Sequence, residues 1–250
     1  MPTVNPPART AVVTGASRGF GRAIAVGLAA TGVHVVGVAR DEAALDDLQH
    51  QLGASFTPVA ADVADDGLAS RLIAEHRPDI LVLNAGATPH AATVQDQTWA
   101  TFSENWNVDV RHVFEFVRAA LLAPVDPGSS VVSVSSGAAR QGSPMSGGYA
   151  GAKATVKFIS AYAGAESERR SLGIRFVALL PKLTPATGLG ARFVDSYADY
   201  DQVDRDAFRQ RLGEPLTAQQ VADAILHVAG HGSKPAPAYL LTADGLTALE

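Results

Sequence analysis

Residues 10–21 read TAVVTGASRGFG and join an apolar run to a loop that contains three glycines. The run from Thr10 to Thr14 has the length and the β-branched content of a buried strand. The residues that follow the loop, RAIAVGLAATG, carry an apolar pattern typical of a helix. A strand, a glycine loop and a helix in this order predict the first β-α turn of a dinucleotide-binding fold.

Each of the three glycines has a predicted role in this turn. Gly15 lets the chain turn sharply, Gly19 lets the backbone approach a pyrophosphate, and Gly21 lets the helix lie close to the strand. The phosphates would lie at the helix N-terminus, on free N–H groups and the positive end of the helix dipole. The alternative is that the glycines only punctuate a turn, and the strand before and helix after favour the ligand site.

The rest of the chain alternates apolar runs of strand length with amphipathic stretches, which is typical of repeated β-α units on a parallel sheet. The predicted strands are Thr10 to Thr14, His34 to Ala39, Ser55 to Ala60, Asp79 to Asn84, Ser130 to Ser135, Ile174 to Leu180 and Ala238 to Thr242. We therefore predict an α/β fold with one doubly wound, Rossmann-type parallel sheet of about seven strands and helices on both faces.

The predicted domain organisation is simple. Residues 1–9 are expected to form a loose arm, and residues 10–250 a single dinucleotide-binding domain. Within it, residues 183–215 are a predicted insertion that leaves the carboxyl edge of the sheet and selects the substrate. Its aromatic residues would form either a lid over the pocket or a packed helix pair.

Composition excludes several classes of function. The 250 residues contain no cysteine, which excludes disulfides, thiolate metal sites and a catalytic thiol, and is typical of a reducing cytoplasm. No apolar run approaches the roughly 20 residues that span a bilayer. A net charge of -5 with scattered arginines disfavours a nucleic-acid surface. The histidines show no metal-ligand spacing, so we expect no metal, membrane or nucleic-acid partner.

The end of the second predicted strand bears on the choice of dinucleotide. It reads Ala39-Arg40, where sites that prefer NAD usually have an acidic residue for the ribose hydroxyls. A guanidinium binds a 2′-phosphate instead, and Arg18 places a second cation nearby. We therefore predict NADP(H), with Asp41 capping the next helix; the alternative is that Arg40 is a solvated residue at a strand end.

Other predicted cofactor contacts follow the third, fourth and sixth strands. Asp62 would bind the adenine amino group or serve as a turn residue, and the small turn Asn84-Ala85-Gly86 would leave room beside the cofactor. The predicted cofactor-binding residues are Gly15, Ser17, Arg18, Gly19, Phe20, Gly21, Arg40, Asp62, Val63, Asn84, Ala85, Gly86, Tyr149, Lys153, Pro181 and Thr184.

Tyr149 and Lys153 lie four residues apart in the stretch GGYAGAK and would share one face of a helix. A free phenol titrates near pH 10, and a neighbouring ammonium favours its ionised form, so the pair suits proton exchange. The small residues around the pair leave space for a nicotinamide and a substrate carbonyl, allow tight helix packing, or do both. Ser135 and Ser136 end the fifth predicted strand just upstream.

In this order, TGASRGFG, NAG, a strand-end serine and Y-x-x-x-K resemble the short-chain dehydrogenase/reductase family over Thr10 to about Gly245. The resemblance implies a single Rossmann-type domain in which Tyr149 exchanges the proton and Lys153 binds the nicotinamide ribose and favours the phenolate. It also implies that Ser136, thirteen residues before the tyrosine, orients the substrate carbonyl. A homodimer or homotetramer is implied as well.

Three positions depart from the family pattern. Asp109, in VDVRHVF, stands where the family has a catalytic asparagine, with Asn107 as the alternative if the helix is shifted. Lys182 replaces the glycine that follows Pro181, and Ala178 replaces an asparagine of the sixth strand.

Two classes of function are therefore in view. The first is an NADP(H)-dependent oxidoreductase acting on a small carbonyl or alcohol substrate, with Tyr149 as general acid and base. The second is a non-catalytic NADP(H)-binding sensor or regulatory protein, which the departures would suit. Ser136, Tyr149 and Lys153 together favour the enzyme, because a binder has no need of all three.

Overall fold

The computed structural model describes residues 9–123, 125–230 and 236–249. They form an α/β domain around one eight-stranded sheet. Most of the arm predicted at residues 1–9 lies outside the described residues, which include only Arg9 of it.

The strands follow one another in the sheet in the order β3-β2-β1-β4-β5-β6-β7-β8. The first seven pair in parallel and β8 is antiparallel to β7. They are β1 (Thr10–Thr14), β2 (His34–Ala39), β3 (Phe56–Ala60), β4 (Ile80–Leu83), β5 (Ser130–Val134), β6 (Arg175–Pro181), β7 (Ala238–Thr242) and β8 (Gly245–Leu249). The predicted doubly wound fold is confirmed.

The eighth strand is absent from the sequence-based prediction. It pairs back onto β7 through a tight hairpin in which Thr242 lies opposite Gly245. As a partly exposed edge strand of the sequence GLTAL, it lacks the continuous apolar pattern that marks the buried strands.

The helices flank this sheet. They are α1 (Gly19–Ala30), α2 (Glu42–Leu52), α3 (Leu68–His76), α4 (Trp99–Asn105), α5 (Arg111–Leu122), α6 (Ala138–Gln141), α7 (Gly147–Arg169), α8 (Gly188–Asp201), α9 (Arg205–Leu212) and α10 (Ala218–Ala229). Short 3₁₀ segments lie at Gly53–Ser55 and Val94–Asp96, and a π-helical turn, Trp106–Val110, joins α4 to α5.

The core has one layer on each face of the sheet. Val13 belongs to the layer that contains the buried residues of α1, α2 and α10. Its neighbour Val12 belongs to the layer formed with α3, α5 and α7, because successive strand residues point to opposite faces. Among the described helices, none combines the length and the apolar composition needed to cross a bilayer.

The carboxyl ends of β1, β4 and β5 meet where the strand order reverses, which is the usual ligand position in open parallel sheets. Thr14, the last residue of β1, ties this edge together. Its hydroxyl accepts hydrogen bonds from the backbone N–H groups of Asn84 at 3.0 Å and Ala85 at 3.2 Å. The loops after β1 and β4 are thereby fixed side by side.

Candidate active site

The glycine loop after β1 has the conformation that its composition predicts. Gly15 and Gly19 have φ angles of 68° and 56°, which ordinary side chains rarely adopt. No atom lies within 4 Å of the position that a Cβ on Gly19 would take, so this backbone is open to a ligand. A Cβ on Gly21 would lie 2.0 Å from the Gly15 carbonyl oxygen. The sequence suggested that Gly21 lets α1 lie close to the strand. In the structure, Gly21 lets α1 pack against the turn that follows the strand.

A cavity of about 710 Å³ opens at this edge of the sheet. Every predicted cofactor-binding residue except Gly21 lines it, as do Ser136 and Asp109. The open glycine backbone, the start of α1 and a cavity that runs past the carboxyl ends of β1 to β6 fit an extended dinucleotide.

Arg40 and Asp62 face each other at one end of the cavity. Their charged groups are 3.6 Å apart, with the Arg40 side chain 78% exposed. Asp62 also accepts a hydrogen bond from the Ala64 N–H at 3.0 Å, as in the predicted turn role. An exposed pair at this distance is weak, so the guanidinium is free to turn towards a phosphate.

Tyr149 and Lys153 lie on one face of α7, as predicted, and line the same cavity. The Lys153 ammonium lies 5.7 Å from the centre of the Tyr149 ring. It is buried, donates to the Val134 carbonyl at 3.1 Å, and lies 3.0 Å from Asp109 Oδ2. Burial disfavours the ammonium, but the charges of Asp109 and Tyr149 and a hydrogen bond to Asp109 outweigh it and raise the pKa of Lys153.

The structure brings Asp109, and not Asn107, to the lysine. Asp109 is buried within the π-helical turn, whereas Asn107 of the same turn is exposed. Asp109 Oδ1 accepts hydrogen bonds from the Ala87 N–H at 2.8 Å and from Asn105 Nδ2 at 3.3 Å. π-helical turns insert a residue into a helix and often lie at functional sites.

The two serines at the end of β5 differ in what their hydroxyl groups bind. Ser135 is buried and donates to the Lys153 carbonyl at 2.7 Å. Ser136 is partly exposed in the cavity and accepts a hydrogen bond from the Ala138 N–H at 3.2 Å, so its proton remains available to a ligand. This geometry supports the choice of Ser136 over Ser135.

The small residues around Tyr149 serve tight helix packing. A Cβ on Gly148 would lie 2.1 Å from the Phe102 carbonyl oxygen of α4, and a Cβ on Gly151 would lie 3.3 Å from the Trp106 ring. The Trp106 indole N–H also donates to the Gly148 carbonyl at 3.2 Å. The alternative, that these residues leave space for a nicotinamide, stays a prediction.

The predicted insertion forms the helix pair α8 and α9 beside the cavity. The Tyr197 ring stacks on that of Phe208 with centroids 5.9 Å apart, and it meets the Phe193 ring at a tilt of 43° with centroids 6.0 Å apart. Phe193 and Tyr197 line the cavity. The two helices pack on each other, as in the helix-pair alternative, and a lid over the pocket stays a prediction. Tyr197 also hydrogen-bonds Ser143, in the loop before α7.

Lys182, just before the insertion, and Thr184, at its start, have structural partners. Lys182 donates from Nζ to the Leu212 carbonyl at the end of α9, at 3.0 Å, while lining the cavity. Thr184 is buried and donates to the Leu216 carbonyl at 2.7 Å. The Thr184 hydroxyl proton is thus used within the fold, although the residue lines the cavity as predicted.

Asn105 is the residue that sequence reasoning missed. It is buried, and its Nδ2 donates to the Ala87 carbonyl at 2.9 Å as well as to Asp109. A signal existed, because Asn105 precedes Asp109 by four residues and polar residues at that spacing share a helical face.

Ser136, Tyr149, Lys153 and Asp109 together make a site that can exchange a proton with an oxygen held at Ser136 and Tyr149.

Comparison with known proteins agrees with this geometry. A family model described as short chain dehydrogenase matches residues 9–197. L-xylulose reductase of Mesocricetus auratus is 28% identical over 240 residues, which cover 95% of each chain. The NADPH-dependent pterin aldehyde reductase of Arabidopsis thaliana is 30% identical over 206 residues, 79% of this chain and 84% of the relative.

The extent of the likeness varies among relatives. An uncharacterised short-chain type dehydrogenase/reductase of Sinorhizobium fredii is 38% identical, but the match spans only 44% of each chain. The crystal structure of a short-chain dehydrogenase from Streptomyces avermitilis superposes with a TM-score of 0.77 at 26% identity, over 96% of this chain and 90% of the other.

The resemblance in the sequence motifs, the sheet order and the family match all agree. The chain belongs to the short-chain dehydrogenase/reductase family, whose members are oxidoreductases that use a nicotinamide cofactor.

Proposed function

We propose that this protein is an NADP(H)-dependent oxidoreductase that interconverts a small carbonyl compound and the corresponding alcohol. The observation that carries the proposal is that Ser136, Tyr149 and Lys153 line the same cavity as the open glycine loop. When bound there, the nicotinamide donates or accepts the hydride.

Each of the three side chains has a role that its surroundings support. Ser136 keeps a hydroxyl proton that can hydrogen-bond the substrate oxygen. Tyr149 gives a proton to that oxygen in reduction and removes it in oxidation. Lys153, held by Val134 and Asp109, has a third N–H that can bind a ribose hydroxyl of the cofactor.

The preference for NADP(H) is supported by charge. Arg18 and Arg40 both line the cavity near the glycine loop, and Arg40 is exposed beside Asp62. A guanidinium favours a 2′-phosphate over a free ribose hydroxyl. The pterin aldehyde reductase relative is also described as NADPH-dependent.

A panel assay tests the proposed function. NADPH oxidation would be followed with activated ketones, diketones and aldehydes, for the wild type and for Tyr149→Phe. We expect turnover with at least one carbonyl compound, and loss of turnover without loss of NADPH binding in the variant. Tight NADPH binding with no consumption over a broad panel, and identical behaviour of the variant, would instead support a non-catalytic sensor.

We also propose that the chain forms a homodimer or homotetramer through α5 and α7. Phe114 and Leu122 on α5 and Phe158 and Tyr162 on α7 are large apolar residues that are 48% to 69% exposed. Phe158 and Tyr162 stack with their ring centroids 6.1 Å apart. Such exposed apolar patches mark interaction sites. Light scattering should give a multiple of the 25.9 kDa chain, and Phe158→Glu should lower the measured mass.

The other proposals concern partners and location. The carbonyl or alcohol is a small molecule that fits the cavity, and nucleic acid and membranes are not partners. The cysteine-free sequence supports a cytoplasmic location, which cell fractionation would test.

A further inference from the structure

The buried charges beside Tyr149 differ from those that the family pattern implies. Where an uncharged asparagine is expected, Asp109 places a carboxylate 3.0 Å from the Lys153 ammonium. The Asp109 side chain is 1% exposed and that of Lys153 is 7% exposed. Since water screens such a pair little, the two opposite charges act on their surroundings as a dipole with zero net charge.

The Asp109 carboxylate accepts two hydrogen bonds besides its contact with the ammonium. Oδ1 accepts from the Ala87 N–H and from Asn105 Nδ2, while Oδ2 faces the ammonium. Bonds donated to a carboxylate stabilise its charged form. Lys153 is held in turn by the Val134 carbonyl and by Asp109.

Other titratable groups near the pair do not change this balance. His112, on the first turn of α5, is fully buried, and burial followed by the charge of Lys153 lowers its pKa to about 3, so it is neutral at physiological pH. Glu104, Lys182 and Arg192, from α4, the end of β6 and α8, line the same cavity but are exposed to water. Their influence is screened.

We propose that Asp109 compensates the charge of Lys153, so that Tyr149 stays a protonated phenol through neutral pH and the site is set for carbonyl reduction. This inference rests on the proposed function. In reduction, the O–H bond of Tyr149 breaks and an O–H bond forms on the substrate oxygen, while the reduced nicotinamide supplies the hydride and is oxidised. The phenolate then takes a proton from water. Asp109 is a positioning residue here, because it acts through Lys153. It shifts the pH dependence of carbonyl reduction and of alcohol oxidation together, and it leaves the equilibrium constant of the reaction unchanged.

Tyrosine ionisation can be measured without turnover. The ultraviolet absorbance of phenolate would be titrated against pH as the difference between the wild type and Tyr149→Phe. The same difference would be measured between Asp109→Asn and Asp109→Asn/Tyr149→Phe. We expect the Tyr149 midpoint in Asp109→Asn to lie lower by about one pH unit or more, because an uncompensated ammonium then favours the phenolate. An equal or higher midpoint overturns the proposal.

Two further variants separate charge from packing. Asn105→Ala disturbs the same contacts but keeps the carboxylate, so the wild-type midpoint is expected; a shift as large as that of Asp109→Asn overturns the proposal. Asp109→Asn/Lys153→Met removes both charges and tests the idea even if Asp109→Asn does not fold. The Tyr149 midpoint of this double variant should match that of the wild type. If Asp109 does not compensate Lys153, the double variant loses an uncompensated cation and the midpoint rises by about one pH unit, which would contradict the proposal.

Activity adds an independent readout. The pH above which carbonyl reduction declines should fall in Asp109→Asn together with the spectroscopic midpoint. If the wild type reduces no carbonyl, the proposed function fails while the titration still decides whether Asp109 compensates Lys153. If the wild type is active and its pH profile equals that of the variant, this inference fails and the proposed function stands.

Discussion

At the scale of single residues, the two neighbouring serines show how the fold separates a structural role from a chemical one. Ser135 donates its proton to the Lys153 carbonyl, whereas Ser136 keeps its proton for the cavity. Both serines line the cavity, and which hydroxyl proton stays available depends on where β5 ends, which the run SVSS leaves open. The thirteen-residue spacing to Tyr149 indicated Ser136, and the hydrogen bonds give the physical reason.

Substituting each serine by alanine should therefore give opposite results. Ser136→Ala removes a donor to the substrate oxygen and should lower kcat/KM by about 10²-fold, with stability nearly unchanged. Ser135→Ala should cost about 1 kcal/mol of unfolding free energy through the lost hydrogen bond, with a smaller effect on kcat/KM. Steady-state kinetics and chemical denaturation of both variants check this. If Ser135→Ala lowered kcat/KM more than Ser136→Ala does, Ser135 and not Ser136 would be the donor to the substrate oxygen.

Arg40 is the residue on which the proposed preference for NADP(H) rests. Arg40→Ala should weaken NADPH binding by about ten- to a hundredfold, the equivalent of about 1.5–3 kcal/mol, and leave NADH binding almost unchanged. Arg169→Ala is a matched control, because it removes an exposed arginine whose partner is Glu166 at the end of α7. Titration calorimetry with both cofactors measures the effect, and equal affinities of the wild type for NADPH and NADH would end the proposal.

At the scale of elements, α7 depends on two close contacts with its neighbours. Gly148 touches the backbone of α4 and Gly151 touches Trp106 in the π-helical turn, so the helix that bears Tyr149 is fixed against the segment that bears Asp109. The sequence showed the small residues but could not decide what they contact, since that depends on which helix packs there.

A pair of adjacent glycines tests this packing. Gly148→Ala places a Cβ 2.1 Å from the Phe102 carbonyl oxygen, and should lower the unfolding free energy by about 1–3 kcal/mol and reduce activity. In Gly147→Ala the nearest atom, in the Phe102 ring, lies 3.7 Å away, so this variant should have nearly wild-type stability. Urea denaturation compares them, and equal stabilities would show that α7 and α4 separate easily.

The π-helical turn explains why the sequence left Asp109 and Asn107 as alternatives. Both lie in one turn whose geometry departs from the α-helical period, so spacing alone cannot say which side chain faces inwards. The helix pair of the insertion is a different case, because a side chain caps the start of each helix. Thr187 accepts from the Gly190 N–H and Asp204 from the N–H groups of Asp206 and Ala207.

At the scale of the whole molecule, the parallel sheet was the most predictable feature. Most of its parallel strands are continuous apolar runs because both faces of the sheet are covered, and the run of β6 is easy to recognise. What the sequence could not give is how distant segments meet. The contact of Lys182 with the end of α9, thirty residues further along the chain, depends on tertiary packing.

Burial of His112 should make the folded protein sensitive to acid. Its pKa is about 3 in the fold and 6.5 without burial, so between these values the unfolded chain binds a proton that the folded chain does not. Stability should fall as pH drops from 6.5 towards 3, by up to about 1.4 kcal/mol per pH unit from this residue.

His112→Phe, which keeps a flat ring beside Phe116, should remove this part of the slope. Unfolding free energies measured for both proteins at several pH values below 6.5 give the difference directly. Parallel curves would mean that His112 is protonated in the folded protein.

Transfer of deuterium tests the central claim most directly. NADPH carrying deuterium at the transferring carbon would be incubated with the protein and a carbonyl substrate from the panel, and the alcohol analysed by mass spectrometry. We predict that the wild type yields alcohol with one deuterium on the former carbonyl carbon and that Tyr149→Phe, although it binds NADPH, yields almost none. Bound NADPH with no labelled alcohol from the wild type, or equal labelling by the variant, would contradict proton exchange at Tyr149 coupled to hydride transfer.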